Sequence, residues 1–370
     1  MCDLKRRNPL FCILPPHILI EMARNGSAAE RDTALASLQL DTSHRSHRTA
    51  FSMLGGLRVP AVREQALDET SLPVKHRTIY NCNHTTNLTG TLVRAEGQSP
   101  VADPSVNHAY DGLGSTFDFY LAAYHRNSID NRGLPLVGCV HYDTKYNNAF
   151  WNGHQMVFGD GDGVYFNDFT IALDVIGHEL THGVTGSEAN LLYQGQSGAL
   201  NESISDVFGS LVKQYVLRQT ADKADWPIGA GLFTSKVRGT ALRSMKAPGT
   251  AYDDPVLGKD PQPADMAHYV NTSTDSGGVH INSGIPNHAF YLVATKIGGY
   301  AWQKAGQIWY DTLLDHPKLP QSANFSAFAD LTIQHASIRF GNASTERKAV
   351  FDAWKQVGVK TATLSMTAAA

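Results

Sequence analysis

His178-Glu179-Leu180-Thr181-His182 is the stretch on which the reading of this chain turns. On a helix, two histidines four residues apart project from one face about a turn apart, the spacing at which two imidazoles can share one tetrahedral zinc ion. Glu179 lies one step round from the first ring. There it can take a proton from a metal-activated water but is badly placed to bind the metal as well. The run 169–184 is largely apolar and holds no proline, which predicts a helix buried at the floor of a cleft.

A second segment fits the first. Asn201-Glu202-Ser203-Ile204-Ser205-Asp206 opens another helical stretch, in which Glu202 and Asp206 are again four apart on one face. Glu202 can complete the ligand set, while Asp206 accepts a hydrogen bond from a liganding imidazole, fixing its tautomer and raising its basicity. Such a donor set is that of a zinc hydrolase. Nineteen residues separate His182 from Glu202, and Thr185 and Glu188 stand where a metzincin would carry a glycine and a third histidine. That alternative is excluded.

With these segments in view the chain resembles the thermolysin family of zinc metalloendopeptidases. Further segments carry the likeness: Asn147-Asn148-Ala149-Phe150-Trp151-Asn152-Gly153, Gly159-Asp160-Gly161-Asp162-Gly163 and Gly277-Gly278-Val279-His280-Ile281-Asn282-Ser283-Gly284, in the family's order and spacing from about Thr78 onward. The resemblance implies an α+β fold, with a β-rich N-terminal lobe, an α-helical C-terminal lobe and the zinc site in the cleft between them. It implies His178, His182 and Glu202 as zinc ligands, Glu179 as general base, and Asp206 and Asn201 behind the ligands. Tyr193 and His280 match the donors to the tetrahedral oxyanion, with Asp275 orienting His280. Asn148, the Ala149 backbone and Arg243 match groups that bind substrate main chain. Phe166, Phe169, Val175, Ile228 and Leu242 match an apolar pocket for a bulky residue on the leaving-group side. Phe169 is larger than the aliphatic residue usual there, which predicts a shallower pocket that prefers Leu or Ile to Phe.

The coarse pattern agrees. Up to about Gly163 the chain reads as short alternating stretches broken by Gly, Asn, Asp and Pro, such as 78–80 and 137–142. Beyond it, helical periods dominate at 204–217, 286–297, 301–314, 326–340 and 344–357. Two lobes and an appendage suit a chain of 370 residues that is 42% hydrophobic. A formal net charge of −3 makes no electrostatic case for nucleic acid or a membrane as partner. Peptide or protein substrates are the expected partners. Asp160 and Asp162 invite a calcium-loop reading, but the closing glutamate is missing and a tight turn in the cleft wall is expected instead.

Residues 1–55 belong to neither lobe, which divides the chain into a leader, a β-rich lobe at 56–185 ending in the zinc helix, and a helical lobe at 186–370. The leader's Ile13-Leu14-Pro15-Pro16-His17-Ile18-Leu19 resembles the short Pro-Pro propeptide of the protealysin branch of the family. That implies a proenzyme with the leader as its own inhibitor, the Pro15–Leu19 segment covering the cleft in an extended form and Cys12 or His17 as candidates to reach the zinc. Pro15-Pro16 interrupts a short apolar stretch, so no conventional signal peptide is read, and the export route stays open. Cys82 and Cys139 permit a disulfide without establishing it. A family calcium double site is expected to be absent: Asp174 and Asp225 keep two acidic positions, but Lys213, Pro227 and Ala230 replace the others. Two other readings stand beside the peptidase, a permanently latent zinc-binding protein and an aminopeptidase of the wider Glu-ligand group. The latter usually places eighteen residues before the third ligand and needs an acidic amine-binding motif that is not found here.

Overall fold

The computed structural model describes residues 11–54 and 73–362. The expected junction between leader and catalytic part at 55/56 lies outside them. A six-stranded mixed sheet forms the N-terminal lobe. Its strands are β1 (Phe11–Cys12), β2 (Arg77–Thr85), β3 (Thr91–Ala95), β4 (Leu136–Tyr142), β5 (Ala149–Trp151) and β6 (Gln155–Phe158), in the spatial order β1-β5-β6-β4-β2-β3. The leader therefore supplies an edge strand. β1 pairs antiparallel with β5, Phe11 opposite Trp151 and Cys12 opposite Phe150.

Two leader helices follow, α1 (Pro16–Asn25) and α2 (Ala28–Leu54), the second running well past the stretch the sequence marked. Pro15 caps α1 in an extended conformation and Pro16 opens its first turn, where a missing N–H costs nothing. This corrects the expectation of an extended Pro-Pro segment in the cleft. The prolines turn the chain into a helix, and the strand is the Phe11–Cys12 pair ahead of them. A Cys82–Cys139 disulfide closes a separation of 57 residues between β2 and β4, worth roughly 4 kcal/mol in the chain-entropy account.

The β-rich lobe also holds a long helix that its alternating pattern hid, α3 (Pro104–Tyr124). It contains Gly112 and Gly114. Both are close-approach sites: a Cβ at Gly112 would meet Ile176 Cδ1 at 2.3 Å, and one at Gly114 would meet Arg77 Nη1 at 2.3 Å. The signal that could have found α3 is Asp103-Pro104, an N-cap aspartate that accepts from Ser105 N ahead of a proline at the first helical position.

α4 (Leu173–Ser187) carries the histidine pair and packs on α5 (Gly195–Leu217). The pairing is close because Gly177 faces Gly209. A Cβ at Gly177 would lie 3.0 Å from Gly209 Cα, and one at Gly209 would lie 2.3 Å from the Asp174 carbonyl oxygen. α5 starts six residues before the stretch the sequence marked, so Asn201, Glu202 and Asp206 sit inside it on rigid, buried backbone rather than at its opening. The C-terminal lobe is completed by the short ribbon of β7 (Pro227–Ile228) and β8 (Arg243–Ser244) and by α6 (Asp275–Asn282), α7 (Gly284–Ile297), α8 (Ala305–Leu314), α9 (Phe325–Phe340) and α10 (Thr345–Gln356). One apolar core runs through both lobes and takes in Ile13, Leu14, Ile18, Leu19 and Met22 of the leader, all fully buried. No helix among the described residues is long and apolar enough to cross a membrane.

Candidate active site

His178 and His182 project from α4 toward Glu202 on α5, all three buried. The two Nε2 atoms stand 2.9 Å apart, with Glu202 oxygens 3.5 Å from His178 Nε2 and 3.6 Å from His182 Nε2. Behind them the Nδ1 atoms face acceptors: Asp206 Oδ1 at 2.8 Å from His178, and Asn201 Oδ1 at 2.7 Å from His182. Each ring thus has an acceptor on Nδ1, which places the proton there and leaves a lone pair on each Nε2. Two lone pairs and a carboxylate converging in a buried space repel one another unless a cation lies among them. Glu202 Oε2, buried without a hydrogen-bond partner, points into the same space. The residues fit a metal ion with two nitrogens and one oxygen, the donor set zinc takes when a fourth position is left for water or substrate.

Asp206 is buried completely and both its oxygens are used. Oδ1 accepts from His178 and from Arg243 Nη2 at 2.9 Å, and Oδ2 from Arg243 Nε at 2.8 Å and Asn287 Nδ2 at 2.8 Å. Burial, the largest single influence, would raise its pKa, but the Arg243 charge and the hydrogen bonds from His178 and Arg243 together outweigh it and hold the carboxyl well below the usual carboxylate range. Glu179 Oε2 accepts from Trp151 N at 3.0 Å, which anchors the carboxylate to β5 at the cleft edge.

Tyr193 and His280 close the opposite side. The Tyr193 hydroxyl donates to Glu202 Oε1 and lies 3.3 Å from His280 Nε2, itself 3.6 Å from Glu202 Oε2. Asp275 accepts from His280 Nδ1 at 2.7 Å and from its backbone N–H at 2.9 Å. His280 stands on α6, after a left-handed run through Ser276, Gly277 and Gly278 with φ of 52°, 85° and 75°, and the two glycines make that run tolerable.

The groups expected to bind substrate main chain grip the leader. Ile13 N donates to the Ala149 carbonyl at 3.2 Å, Arg243 Nη1 donates to the Ile13 carbonyl at 3.1 Å, and Leu14 N donates to Asn148 Oδ1 at 2.9 Å. The Cys12 carbonyl oxygen lies 3.2 Å from His280 Nε2. With Asp275 on Nδ1 and a carbonyl before Nε2, both ring nitrogens face acceptors. Neither leader side chain offered as a zinc contact joins the histidine pair. Cys12 is buried in a cluster with Phe150, Tyr142 and Tyr146, because in a strand paired to β5 its side chain turns away from the carbonyl, and His17 Nε2 lies 2.9 Å from the Tyr252 hydroxyl.

Phe166, Phe169, Val175, Ile228 and Leu242 are all buried, the Phe166 and Phe169 rings stacked 6.0 Å apart. The Gly159–Gly163 segment is the expected turn: Asp162 Oδ1 accepts from the backbone N–H of Val164, Tyr165 and Phe166. Lys213 Nζ lies 2.7 Å from Asp174, 3.1 Å from Asp225 and 2.9 Å from the Pro227 carbonyl. Asn287 was missed by sequence reasoning, its only signal being a polar residue within an apolar helix.

Comparison with known proteins places this geometry. Residues 63–186 match the model of the thermolysin metallopeptidase catalytic domain, and 189–359 that of the thermolysin metallopeptidase α-helical domain. The chain is 51% identical over 356 residues to an extracellular metalloprotease of Pectobacterium carotovorum subsp. carotovorum, covering 96% of this chain and 98% of the relative. It is 47% identical over 350 residues to Protease PrtS of Photorhabdus sp. (strain Az29), covering 94% and 92%. Among solved structures it is similar to the precursor of protealysin, a metalloproteinase from Serratia proteamaculans, with a TM-score of 0.84 and 54% identity, covering 95% of this chain and 100% of the other.

Asp206→Asn leaves the buried Arg243 cation without its charge partner, so a loss of roughly 3–5 kcal/mol in urea unfolding at pH 7 is expected. Zinc affinity should fall roughly ten- to a hundredfold with the loss of orientation at His178. Because the folded-state pKa lies below the unfolded value of about 3.9, the carboxylate's contribution is present above that pH and is lost as pH falls through and below it. Unfolding curves at several pH values should therefore show the gap between native and variant narrowing in acid.

Proposed function

This chain belongs to the thermolysin family of metallopeptidases and is a zinc endopeptidase made as a proenzyme; we propose that it cuts peptide bonds on the N-terminal side of bulky apolar residues, with His178, His182 and Glu202 holding the zinc. The observation that carries the assignment is the pair of Nε2 atoms 2.9 Å apart beside an unpartnered Glu202 oxygen. Zinc held there would polarise the scissile carbonyl and bring the pKa of bound water toward neutrality. Glu179 takes the proton from the attacking water and delivers it to the leaving amine. Tyr193 and His280, the latter fixed by Asp275, donate to the oxygen on which charge develops. Arg243, Asn148 and Ala149 align the peptide as an added strand on β5. The stacked Phe166 and Phe169 support a shallow pocket that takes Leu or Ile ahead of Phe. We divide the chain into a propeptide at 1–55, a β-rich lobe at 56–185 and a helical lobe at 186–370. An N-terminally blocked peptide with Leu after the scissile bond should be cut faster than its Phe counterpart, and Glu179→Gln should lower that rate roughly 10²–10⁴-fold with zinc still bound. Cleavage confined to unblocked N-termini would favour an aminopeptidase, and zinc binding without cleavage a latent scaffold.

The leader acts as an intramolecular inhibitor. Phe11–Leu14 runs along β5 and uses the same three main-chain grips a substrate needs. Asp41 on α2 adds to the hold, its buried carboxylate accepting from Tyr146 OH at 2.7 Å and from Asn148 Nδ2 at 2.8 Å. Asp41→Ala should loosen the leader and raise the initial rate on a blocked peptide. Equal initial rates for variant and native proenzyme would show that the leader does not limit access.

The calcium double site is absent in our reading, because the Lys213 ammonium stands among Asp174, Asp225 and the Pro227 carbonyl, where a calcium ion needs six to eight oxygens. The melting temperature should be the same in calcium and in a calcium-selective chelator. A fall in the chelator would place calcium beside Asp174 after all.

A further inference from the structure

Apart from the histidine pair of α4, His84 at the end of β2, His141 on β4 and Asp160 after β6 bring ligand atoms together in the N-terminal lobe. Asp160 Oδ1 lies 2.8 Å from His141 Nδ1, and Asp160 Oδ2 lies 3.2 Å from His84 Nδ1. One ligand atom from each lies within 4.8 Å of the other two. Zinc–nitrogen and zinc–oxygen bonds of about 2.0–2.2 Å put tetrahedral ligands roughly 3.3 Å apart, so these separations suit a single ion.

Three further features set the cluster apart from a chance meeting of surface groups. The far nitrogen of His141, Nε2, faces the Asp103 carboxylate at 2.8 Å. A carboxylate behind an imidazole is the support that orients a metal-binding histidine, and Asp206 plays that part for His178. Both His84 and His141 adopt left-handed backbone, with φ of 56° and 55°, a conformation that costs a bulky residue energy and is kept where the surroundings enforce it. The enforcing element is at hand: the Cys82–Cys139 disulfide sits two residues before each histidine and pins the two strands that present them. His84 remains exposed, which leaves the site open to solvent and to a fourth, water ligand.

We propose that His84, His141 and Asp160 form a second metal site, which takes a divalent first-row transition ion, zinc foremost, and clamps the ends of β2 and β4 to the turn after β6. Two imidazoles and one carboxylate suit borderline ions of this row and are poor ligands for calcium or magnesium, which prefer oxygen. The site rests on none of the catalytic assignments.

The test is metal-stripped, full-length protein dialysed against buffered zinc, with elemental analysis of ion per chain and a melting curve. Native protein should hold two zinc ions, and His84→Ala one. His84 is exposed and donates to nothing in the core, so that variant should fold. His182→Ala should lose the catalytic equivalent and keep the other, and adding His84→Ala should remove both, which separates this site from the peptidase centre. Asp103→Asn should keep the second ion at roughly ten- to a hundredfold weaker affinity. The melting temperature of native protein should rise as the second ion binds, and that of His84→Ala should not. One ion per native chain would overturn the proposal and leave His141 as an imidazolium bridging Asp160 and Asp103. A second ion undiminished in His84→Ala would overturn it too, placing that ion elsewhere on the surface.

Discussion

Everything in the cleft hangs on one buried charge. Asp206 ties together four elements, since its two oxygens accept from His178 on α4, Arg243 on β8 and Asn287 on α7 while its own backbone belongs to α5. A carboxylate so placed is tolerable only because every lone-pair direction is used and a guanidinium sits against it. The arrangement does two jobs with one charge. It fixes the proton of His178 on Nδ1, which leaves Nε2 for the metal, and it holds Arg243 at the point where a bound chain presents a carbonyl. The orientation of His178 and the position of Arg243 are therefore coupled through one carboxylate. The Gly177–Gly209 contact is the geometric condition for this, because a side chain at either position would push the helices apart and lengthen every hydrogen bond across them.

Along that site lies the leader, and its hold is divided between backbone and side chains. Main-chain hydrogen bonds to Ala149, Asn148 and Arg243 set its path, and they are available to any extended peptide. Specific retention comes from elsewhere. Ile18, Leu19 and Met22 bury apolar side chains, each worth roughly 1.5–3 kcal/mol, in a core shared with the catalytic lobes. The prolines contribute by fixing where the strand stops. Pro15 is itself extended at the N-cap, and Pro16 starts the helix that follows.

The parts of this arrangement that were legible in the sequence are those with a period or a fixed spacing. His178 and His182 are four apart on a helix, Glu202 and Asp206 four apart on the next, and helical periodicity fixes which side chains meet. Tyr193, His280 and Arg243 carry no such pattern; a loop, the kinked helix α6 and the short strand β8 bring them in by tertiary packing, and only likeness to a family pointed to them. Where glycine was read as punctuation, the reading missed. Gly112 and Gly114 inside α3, and Gly195 and Gly198 at the start of α5, lie at helix surfaces or turns where close neighbours or a positive φ matter, as at Gly198, whose Cβ would meet Val279 at 2.4 Å. The leader strand was hidden for another reason. Two residues pair with β5 on the strength of hydrogen bonds the catalytic lobe supplies, and nothing in Phe11-Cys12 alone specifies that pairing.

The same logic of fixed charge explains Lys213. A carboxylate such as Asp174, nearly buried and facing the close α4–α5 contact, needs a counter-charge, and a diffusible cation supplies one only at sufficient concentration. A side-chain ammonium is present at full occupancy in every folded molecule. Burial alone would lower the Lys213 pKa, yet the charges of Asp174 and Asp225 more than offset it and keep the group cationic. The exchange has a structural consequence. An ion can gather six or more oxygens from several loops, whereas one ammonium has three donors, here spent on Asp174, Asp225 and the Pro227 carbonyl. The segment around residues 225–230 is consequently held by fewer bonds to the cation and more by its own packing, with Trp226 and Ile228 buried beneath it.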